Sequence, residues 1–479
     1  MIKLLVIADD FTGALDTGVQ FAGKGMTTKV LNYFPEDEET LKRLQAEVLV
    51  IDAQTRHLEG QEAYRKVFDV VKRAGDAGVP YIYKKTDSGL RGNIGKELEA
   101  ALLASGEQYL TFIPALPAMD RITVGGVHYV EGVPIHESVF GRDPFEPVVS
   151  PSVEALFCDV SVKTVSYQES EHYERGRGKE IGIFDASSEA QIKKITEDLM
   201  KQKCLGVMAG CAGFASVLGD FLKLEIREVE IPAITDRMII ICGSINEITK
   251  RQIEYAEQNG MKRITMTPVQ QFTPGYLSSE EGKRWLYGLK QDCESGITCV
   301  IETGISDTKK VTEYRRENHI PLEEARVTIS KTLGEILKQL LEMGLDATFM
   351  IIGGDTLAGF ITGMRCGEIT IYQELEQGTV LSSIRTEGKE QWIISKSGGF
   401  GDRKLLMEVE QLVKHSILGG GRKNAGSIFN YNAGSCLQPV SYTHLQEGRM
   451  RDSLREEMAD GCPGDFFIIR IHAAATYSF

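Results

Sequence analysis

The sequence has no surplus of positive charge. Its 54 Lys and Arg residues are outnumbered by 68 Asp and Glu residues, which gives a formal net charge of −14 at pH 7. Nucleic-acid binding depends on clustered Lys and Arg residues that neutralise phosphates, and the sequence offers no such cluster. A nucleic-acid partner is therefore not expected, and any anionic ligand must be bound by a few local cations.

The sequence also lacks long apolar runs and paired cysteines. No apolar segment is long enough to span a bilayer, and the apolar run at residues 4–8 is too short for the core of a signal peptide. The nine cysteines are scattered without a C-x-x-C pair, which is typical of reduced thiols in a cytoplasmic protein. We therefore expect cytoplasmic localisation, no membrane partner and no cysteine chemistry.

Short β-rich apolar runs alternate with longer helical patterns along most of the chain, as in βαβ units. Strands are predicted near residues 3–8, 48–52, 81–83, 109–113 and 205–208, and then near 238–242, 263–266, 298–302, 347–352 and 392–395. Glu- and Ile-rich sequence around Pro232 separates the two series.

We predict an α/β fold of two domains, each built on a mainly parallel sheet flanked by helices, with the active-site cleft between them. The predicted domains are residues 1–230 and 236–417. Residues 418–479 lose helix and strand periodicity and are predicted to be an atypical tail outside the fold.

Polar clusters follow three predicted strands of the first domain, at residues 9–12, 52–56 and 84–93. Because ligands bind at the carboxyl ends of parallel strands, the three clusters are expected to converge on one site. Arg56, Lys85 and Arg91 can pair with a carboxylate or phosphate, while Asp10 and Asp87 can orient or deprotonate a hydroxyl. This combination suits a small hydroxy acid. The alternative is that the Asp residues only cap the following helices.

Glycine turns follow three predicted strands of the second domain, at residues 243–244, 353–356 and 397–401. A strand, a glycine turn and a helix start present N–H groups to phosphate oxygens, so the turns fit a nucleotide. Neither a P-loop nor a dinucleotide-binding G-x-G-x-x-G motif is present, and simple tight turns are the alternative. Asp355 could hold a magnesium-bound water or a ribose hydroxyl, with Thr356 as a helix cap.

Residues 114–151 interrupt the alternation of strands and helices. This segment is rich in Gly and Pro and contains His128, His136, Arg121, Arg142 and Asp143. A long irregular stretch inside a compact domain is usually functional or disordered, and the mixture of aromatic and charged residues favours function. The spacing of its histidines fits neither a metal site nor a nucleophilic triad.

Taken together, six motifs resemble the four-carbon acid sugar kinase family. They are residues 7–14, residues 85–88 with 91–93, residues 114–147, residues 243–244, residues 353–356 and residues 396–401, in the family's order over residues 1–415. The resemblance implies an N-terminal acid-sugar domain and a C-terminal nucleotide domain. It further implies an ATP-dependent kinase that uses Mg²⁺ and phosphorylates the terminal C4 hydroxyl of a sugar acid such as threonate, erythronate or 3-oxo-tetronate.

The resemblance also implies roles for individual residues. The substrate would contact Asp10, Arg56, Lys85, Thr86, Asp87, Ser88 and Arg91, whereas ATP would contact Ser244, Gly353, Gly354, Asp355, Thr356, Gly398 and Gly399. Asp10 or Asp87 would accept the hydroxyl proton, and Asp9 is expected to be a turn or helix-capping residue. No metal-binding residue is assigned. Gly89 departs from the family pattern, which has a hydroxyl residue there.

Residues 16–21 resemble those of D-threonate and D-erythronate kinases more than those of the 3-oxo-tetronate branch, which implies D-threonate or D-erythronate as the substrate. A 3-oxo-tetronate kinase and a sensor that binds sugar acid and nucleotide without turnover are the alternatives. A homodimer is left open.

Overall fold

The computed structural model describes residues 2–143, 146–168, 178–222, 227, 234–304, 308–386 and 389–416. The predicted tail, residues 418–479, lies outside the described residues. The predicted α/β fold is confirmed, since strands and helices alternate along the two halves of the chain.

The strands of the first half are β1 (Leu4–Ala8), β2 (Thr28–Leu31), β3 (Val48–Asp52), β4 (Tyr81–Lys85), β5 (Tyr109–Ile113), β6 (Arg121–Val124), β7 (Val127–Val130), β8 (Val133–Pro134), β9 (Lys163–Tyr167), β10 (Glu180–Phe184) and β11 (Val207–Gly210). Those of the second half are β12 (Met238–Cys242), β13 (Lys262–Thr265), β14 (Cys299–Glu302), β15 (Thr348–Ile352), β16 (Glu368–Glu376), β17 (Thr379–Thr386) and β18 (Lys389–Lys396).

The helices of the first half are α1 (Phe11–Ala22), α2 (Glu38–Arg43), α3 (Gly60–Asp76), α4 (Ile94–Ser105), α5 (Glu189–Lys201) and α6 (Ala212–Phe221). Those of the second half are α7 (Glu247–Gln258), α8 (Pro268–Phe272), α9 (Glu280–Glu294), α10 (Thr308–Glu317), α11 (Leu322–Glu342), α12 (Gly354–Gly363) and α13 (Leu405–Ser416).

Both halves contribute to one continuous sheet. Its strand order is β13-β14-β12-β15-β18-β17-β16-β2-β3-β1-β4-β11-β5-β10-β9, and β6, β7 and β8 form a separate small sheet. The sheet is parallel on either side of β16 and β17, which pair antiparallel with each other. β16 also pairs antiparallel with β2, with Ile369 opposite Val30, so backbone hydrogen bonds join the two predicted sheets.

Helices cover both faces of the first-half sheet, because its parallel strands are apolar on both sides. Leu5 packs on the face covered by α3 and α4, where it meets Val67 and Leu98. On the opposite face, Leu4 packs with Phe214 of α6 in a core cluster that also contains Phe360 of α12. This apolar layer therefore runs through both halves.

The strand order creates a crevice in each half. β1 lies between β3 and β4, and the chain leaves β1 and β4 in opposite directions. β12 and β15 are related in the same way in the second half. Such switch points leave room for ligands beyond the carboxyl ends of the strands. In the part of the chain described here, no helix is both long and apolar enough to cross a membrane.

A buried ion pair supports β4 beneath the first crevice. Lys84 and Glu97 are almost completely buried, and Lys84 Nζ lies 3.1 Å from Glu97 Oε2. Lys84 also donates to the carbonyl of Lys85, and the Thr55 hydroxyl donates to Glu97. Burial raises the pKa of Glu97, so this carboxylate depends on Lys84 to stay charged.

We expect Lys84→Met to lower the free energy of unfolding by about 3–5 kcal/mol, because it leaves a buried carboxylate unpaired. Urea unfolding followed by circular dichroism measures the change. The double variant Lys84→Met/Glu97→Leu should recover part of the loss, since neither charge remains. If Lys84→Met is as stable as the parent, the ion pair between Lys84 and Glu97 contributes nothing to the stability of the fold.

Candidate active site

Arg56, which belongs to the polar cluster after β3, contacts acids of the other two predicted clusters. Its guanidinium donates from Nε to Asp9 Oδ2 at 2.7 Å, and its Nη1 lies 2.7 Å from Asp10 Oδ2. Its Nη2 lies 3.7 Å from Oδ1 of Asp87, which follows β4. The structure thus brings the clusters after β1, β3 and β4 together at the first crevice.

Arg91 extends this network into the irregular segment. Its Nε donates to Asp87 Oδ2 at 2.7 Å, and its Nη1 donates to Asp143 Oδ2 at 2.8 Å. Both oxygens of Asp87 are therefore turned towards guanidinium groups. Burial alone would raise the pKa of Asp87, but Arg56 and Arg91 hold it well below its usual range. Asp87 is consequently a poor proton acceptor and a strong anchor for the two arginines.

Asp10, and not Asp9, caps the helix that follows β1. Asp10 caps α1, since its Oδ1 accepts a hydrogen bond from the Gly13 N–H at 2.8 Å. Asp9 is buried behind the loop, where Arg56, Lys84 and Lys85 hold its pKa down against the effect of burial. The prediction that Asp9 caps the helix is wrong, because Asp10 has the extended backbone and the spacing to the third helical N–H that capping requires. Burial raises the pKa of Asp10.

Gly89 is explained by its contact with the irregular segment. A Cβ atom at Gly89 would overlap the Phe140 ring. The guanidinium carbons of Arg91 and Arg121 lie 5.2 Å and 5.0 Å from the centre of that ring, a distance at which cations and aromatic faces attract. The departure from the family pattern therefore makes room for Phe140. Arg121 also donates to the Ser88 hydroxyl, and this role was not predicted from the sequence.

Lys85 differs from the other cations of the site. The residue is buried, yet its ammonium group makes no ion pair or hydrogen bond to any residue that the structure describes. A Cβ atom at Gly13 would lie 2.7 Å from Lys85 Nζ and 2.6 Å from Asp10 Oδ1, so the ammonium sits above the first turn of α1. The buried charge of Lys85 is thus not neutralised by an ion pair within the described residues.

The predicted substrate residues line two different cavities. Lys85 and Ser88 line a cavity of about 250 Å³ together with Asp16, Gln20 and Glu374. Arg56 and Arg91 line another cavity, of about 400 Å³. Thr86 is buried between the strands, where its N–H donates to the Gly210 carbonyl and its hydroxyl has no partner among the described residues. The expected carboxylate clamp of Arg56, Lys85 and Arg91 is therefore not assembled around one cavity.

The glycine turns of the second half meet at the other crevice. The Gly353 N–H donates to the Lys396 carbonyl at 3.0 Å. Gly353 has a φ of 109°, which favours glycine, and α12 begins at the next residue. A Cβ atom at Gly398 would overlap the Ser244 hydroxyl, and one at Gly243 would overlap the hydroxyl of the buried Thr356. The turns therefore pack directly against one another.

Two predicted residues lie at the margin of these turns. Asp355 is exposed and its Oδ2 accepts from Arg326 Nη1 at 2.9 Å. Gly399 is also exposed, beside the Asn246 side chain. Asp355 is therefore held by an arginine through one carboxylate oxygen.

Lys396 was missed as a separate site residue although it lies within a quoted motif. It ends β18, is buried, and donates from Nζ to the carbonyls of Ser397 at 2.9 Å and Gly398 at 3.4 Å. Burial lowers the pKa of Lys396 to about 8. A lysine that follows the apolar residues 392–394 and precedes a glycine turn is the sequence signal that could have identified it.

The two crevices adjoin each other. A Cβ atom at Gly354 would lie 2.5 Å from the Thr12 hydroxyl oxygen, so the start of α12 touches the start of α1. A small cavity of about 10 Å³ between them is lined by Thr12, Asp16, Gly353 and Lys396, among others. Asp16 therefore borders both this space and the cavity that contains Lys85.

Comparisons with known proteins match the two halves of the chain to two different family models. The model of a sugar-binding N-terminal domain matches residues 4–218, and the model of a nucleotide-binding C-terminal domain matches residues 239–406. The chain is 26% identical to the D-threonate kinase of Salmonella typhimurium, over 87% of this chain and 100% of the relative. The chain belongs to the four-carbon acid sugar kinase family. Arg56, Arg91 and their acidic partners lie in the sugar-binding part of this kinase, and the glycine turns lie in its nucleotide-binding part.

Other relatives of the kinase carry different substrate names. The D-erythronate kinase of Heliobacterium modesticaldum is 27% identical over 59% of this chain and 67% of the relative. The 3-oxo-tetronate kinase of Brucella melitensis is 23% identical over 86% of this chain and 96% of the relative. Identities this similar do not separate the three substrates. The predicted domain boundary at residues 230–236 falls between the two matched regions and stays a prediction.

Proposed function

We propose that this kinase transfers the γ-phosphoryl group of ATP to the C4 hydroxyl of a four-carbon sugar acid, with D-threonate or D-erythronate as the substrate. One observation carries the proposal. The buried ammonium group of Lys85, which forms no ion pair with a carboxylate of the described residues, faces a cavity that adjoins a set of glycine turns and the buried Lys396. An anionic acceptor and a polyphosphate donor fit such neighbouring sites.

The sugar acid is proposed to occupy the cavity of about 250 Å³, with its carboxylate on Lys85. A charge-assisted hydrogen bond of this kind is about twice as strong as a neutral one. The Ser88 and Thr86 hydroxyls are proposed to bind substrate hydroxyls. Asp10 and Asp87 are proposed to hold Arg56 and Arg91 in place beside this cavity.

The triphosphate is proposed to lie on the glycine turns. The N–H groups at the start of α12, from Gly354 to Thr356, point out of a positive helix end. Ser244, Gly398 and Gly399 supply further polar groups, and Lys396 supplies a cation. Phosphoryl transfer depends mainly on positioning and on neutralising charge, which this arrangement can provide.

Mg²⁺ is part of the proposal as a companion of the nucleotide. Among the described residues, no group of three or more His, Cys, Asp or Glu side chains is arranged to hold a metal ion. The residues therefore do not form a metal cage of their own, which agrees with a Mg²⁺ ion held largely by phosphates and water. When bound, the ion would neutralise phosphate charge.

A coupled assay of ADP release tests the function. Protein, ATP and Mg²⁺ are mixed with D-threonate, L-threonate, D-erythronate, L-erythronate or 3-oxo-tetronate. Release with D-threonate or D-erythronate supports the proposal, and turnover confined to 3-oxo-tetronate supports the alternative kinase. Nucleotide binding without ADP release in any mixture would indicate a sensor instead.

We expect Asp10→Asn and Asp87→Asn each to lower kcat/KM at least about tenfold, equivalent to about 1.4 kcal/mol of transition-state stabilisation. Each change weakens the hold on Arg56, while Asn at residue 10 still caps α1. Steady-state kinetics with the best acid measure the effect. Asp37→Asn is the matched control, because Asp37 caps the remote α2 in the same way. Near-normal turnover in both variants would remove the two acids from the site.

A further inference from the structure

We infer that Asp16, on α1, is the group that accepts the proton of the C4 hydroxyl. The inference rests on the proposed function and names a residue of the same site. Asp16 borders both the cavity assigned to the sugar acid and the small space next to Gly353 and Lys396. A group that accepts the proton of the attacking hydroxyl has to lie at this junction of acceptor and donor sites.

The three acids that surround Arg56 are already engaged. Asp9 and Asp10 bind Arg56, and Asp87 is held by Arg56 and Arg91. The Asp16 carboxylate, by contrast, makes no ion pair or hydrogen bond with any residue described by the structure. Its lone pairs are therefore available to a hydroxyl in the cavity.

The groups around Asp16 set its proton affinity. Burial is the largest influence, and the carboxyls of Asp10 before α1 and of Glu374 on β16 act in the same direction. Lys85 on β4 and Arg121 on β6 act in the opposite direction. The balance raises the pKa of Asp16 to about 7, where a carboxylate is both ionised and basic enough for proton transfer near neutral pH.

The proposed step transfers the γ-phosphoryl group to the C4 oxygen and the hydroxyl proton to Asp16. The C4 oxygen forms a bond to the γ-phosphorus as the bond from that phosphorus to the β,γ-bridging oxygen breaks, and ADP leaves with the electron pair. The hydroxyl proton passes to the Asp16 carboxylate. After the product leaves, the proton passes to water, which restores the carboxylate for the next turnover.

The test is Asp16→Asn, with kcat and KM measured from pH 5.5 to 9. We expect kcat to fall about 10²- to 10⁴-fold, with little change in the KM of the acid. In the parent, activity should fall as pH drops through about 7, because the carboxylate becomes protonated. The residual activity of Asp16→Asn should lack this acid limb, and Asp16→Glu should restore part of kcat together with the limb.

Two controls separate chemistry from folding. Asp69→Asn makes the same carboxylate-to-amide change at an exposed position of α3, outside the site, and should leave kcat near that of the parent. The thermal midpoint of Asp16→Asn at pH 8 should equal or exceed that of the parent. A folded-state pKa above the unfolded value means that ionised Asp16 costs stability above pH 7, and the amide removes this cost.

The outcomes are distinguishable. An active parent with an Asp16→Asn variant that keeps kcat and its acid limb overturns the inference alone. A rise in KM with unchanged kcat also overturns it, because it makes Asp16 a binding group. A parent that releases no ADP with any four-carbon acid overturns the proposed function and this inference with it.

Discussion

Lys85→Met should lower kcat/KM for the sugar acid by about a thousandfold. Removing one partner of a buried, hydrogen-bonded charge pair costs about 2–5 kcal/mol, which corresponds to about 30- to 5,000-fold. The substrate carboxylate is bound in both ground state and transition state, so most of the loss should be a higher KM. Steady-state kinetics with D-threonate or D-erythronate measure the split.

The same variant should also shift the pH profile. Lys85 lowers the pKa of Asp16, so its removal should move the acid limb to higher pH. Lys72→Met is the matched control, since Lys72 is an exposed lysine on α3 that pairs with Asp76. If Lys85→Met binds the acid as well as the parent, the carboxylate lies elsewhere, and the cavity lined by Arg56 and Arg91 becomes the candidate.

Lys396→Met is expected to have the second large effect, with kcat/KM for ATP lowered about a hundredfold or more. A buried ammonium beside the glycine turns stabilises phosphate charge that grows during transfer, so kcat should fall as well as ATP affinity. Steady-state kinetics measure kcat and the KM for ATP, and calorimetry measures the dissociation constant for ADP.

Lys389→Met is the matched control, because Lys389 lies at the other, exposed end of β18. The parent should bind ATP less tightly above pH 8, because Lys396 loses its charge as pH rises through its lowered pKa. A lowered lysine pKa also means that the buried charge opposes folding at neutral pH, so Lys396→Met should not lower the thermal midpoint. A variant with unchanged ATP kinetics would place the phosphates away from this lysine.

The strands beside the site were predictable because their residues are apolar on both faces. Val48–Asp52 and Tyr109–Ile113 have the predicted bounds. The junction of the two sheets was not predicted, since β2 has four residues and β16 mixes apolar with charged ones. Such strands are stabilised by their neighbours in the sheet and not by their own pattern.

The residue types of the site were also predictable, but their pairing was not. The run from Lys85 to Arg91 shows that cations and acids follow β4. Which cation remains without a partner depends on Asp143, 52 residues from Arg91 in the chain, and on the loop that carries Asp9. Asp16 was missed because its proton affinity comes from burial beside β16, which only the folded chain creates.

The antiparallel pairing of β2 with β16 has a consequence for attempts to divide the protein. A fragment ending near residue 230 would leave the backbone groups of β2 that face β16 without their partners and would uncover apolar side chains that pack against the second half. Unprotected strand edges of this kind recruit other chains and promote aggregation. Binding of the sugar acid and of the nucleotide should therefore be dissected by point substitutions in the intact chain and not by expressing its halves separately.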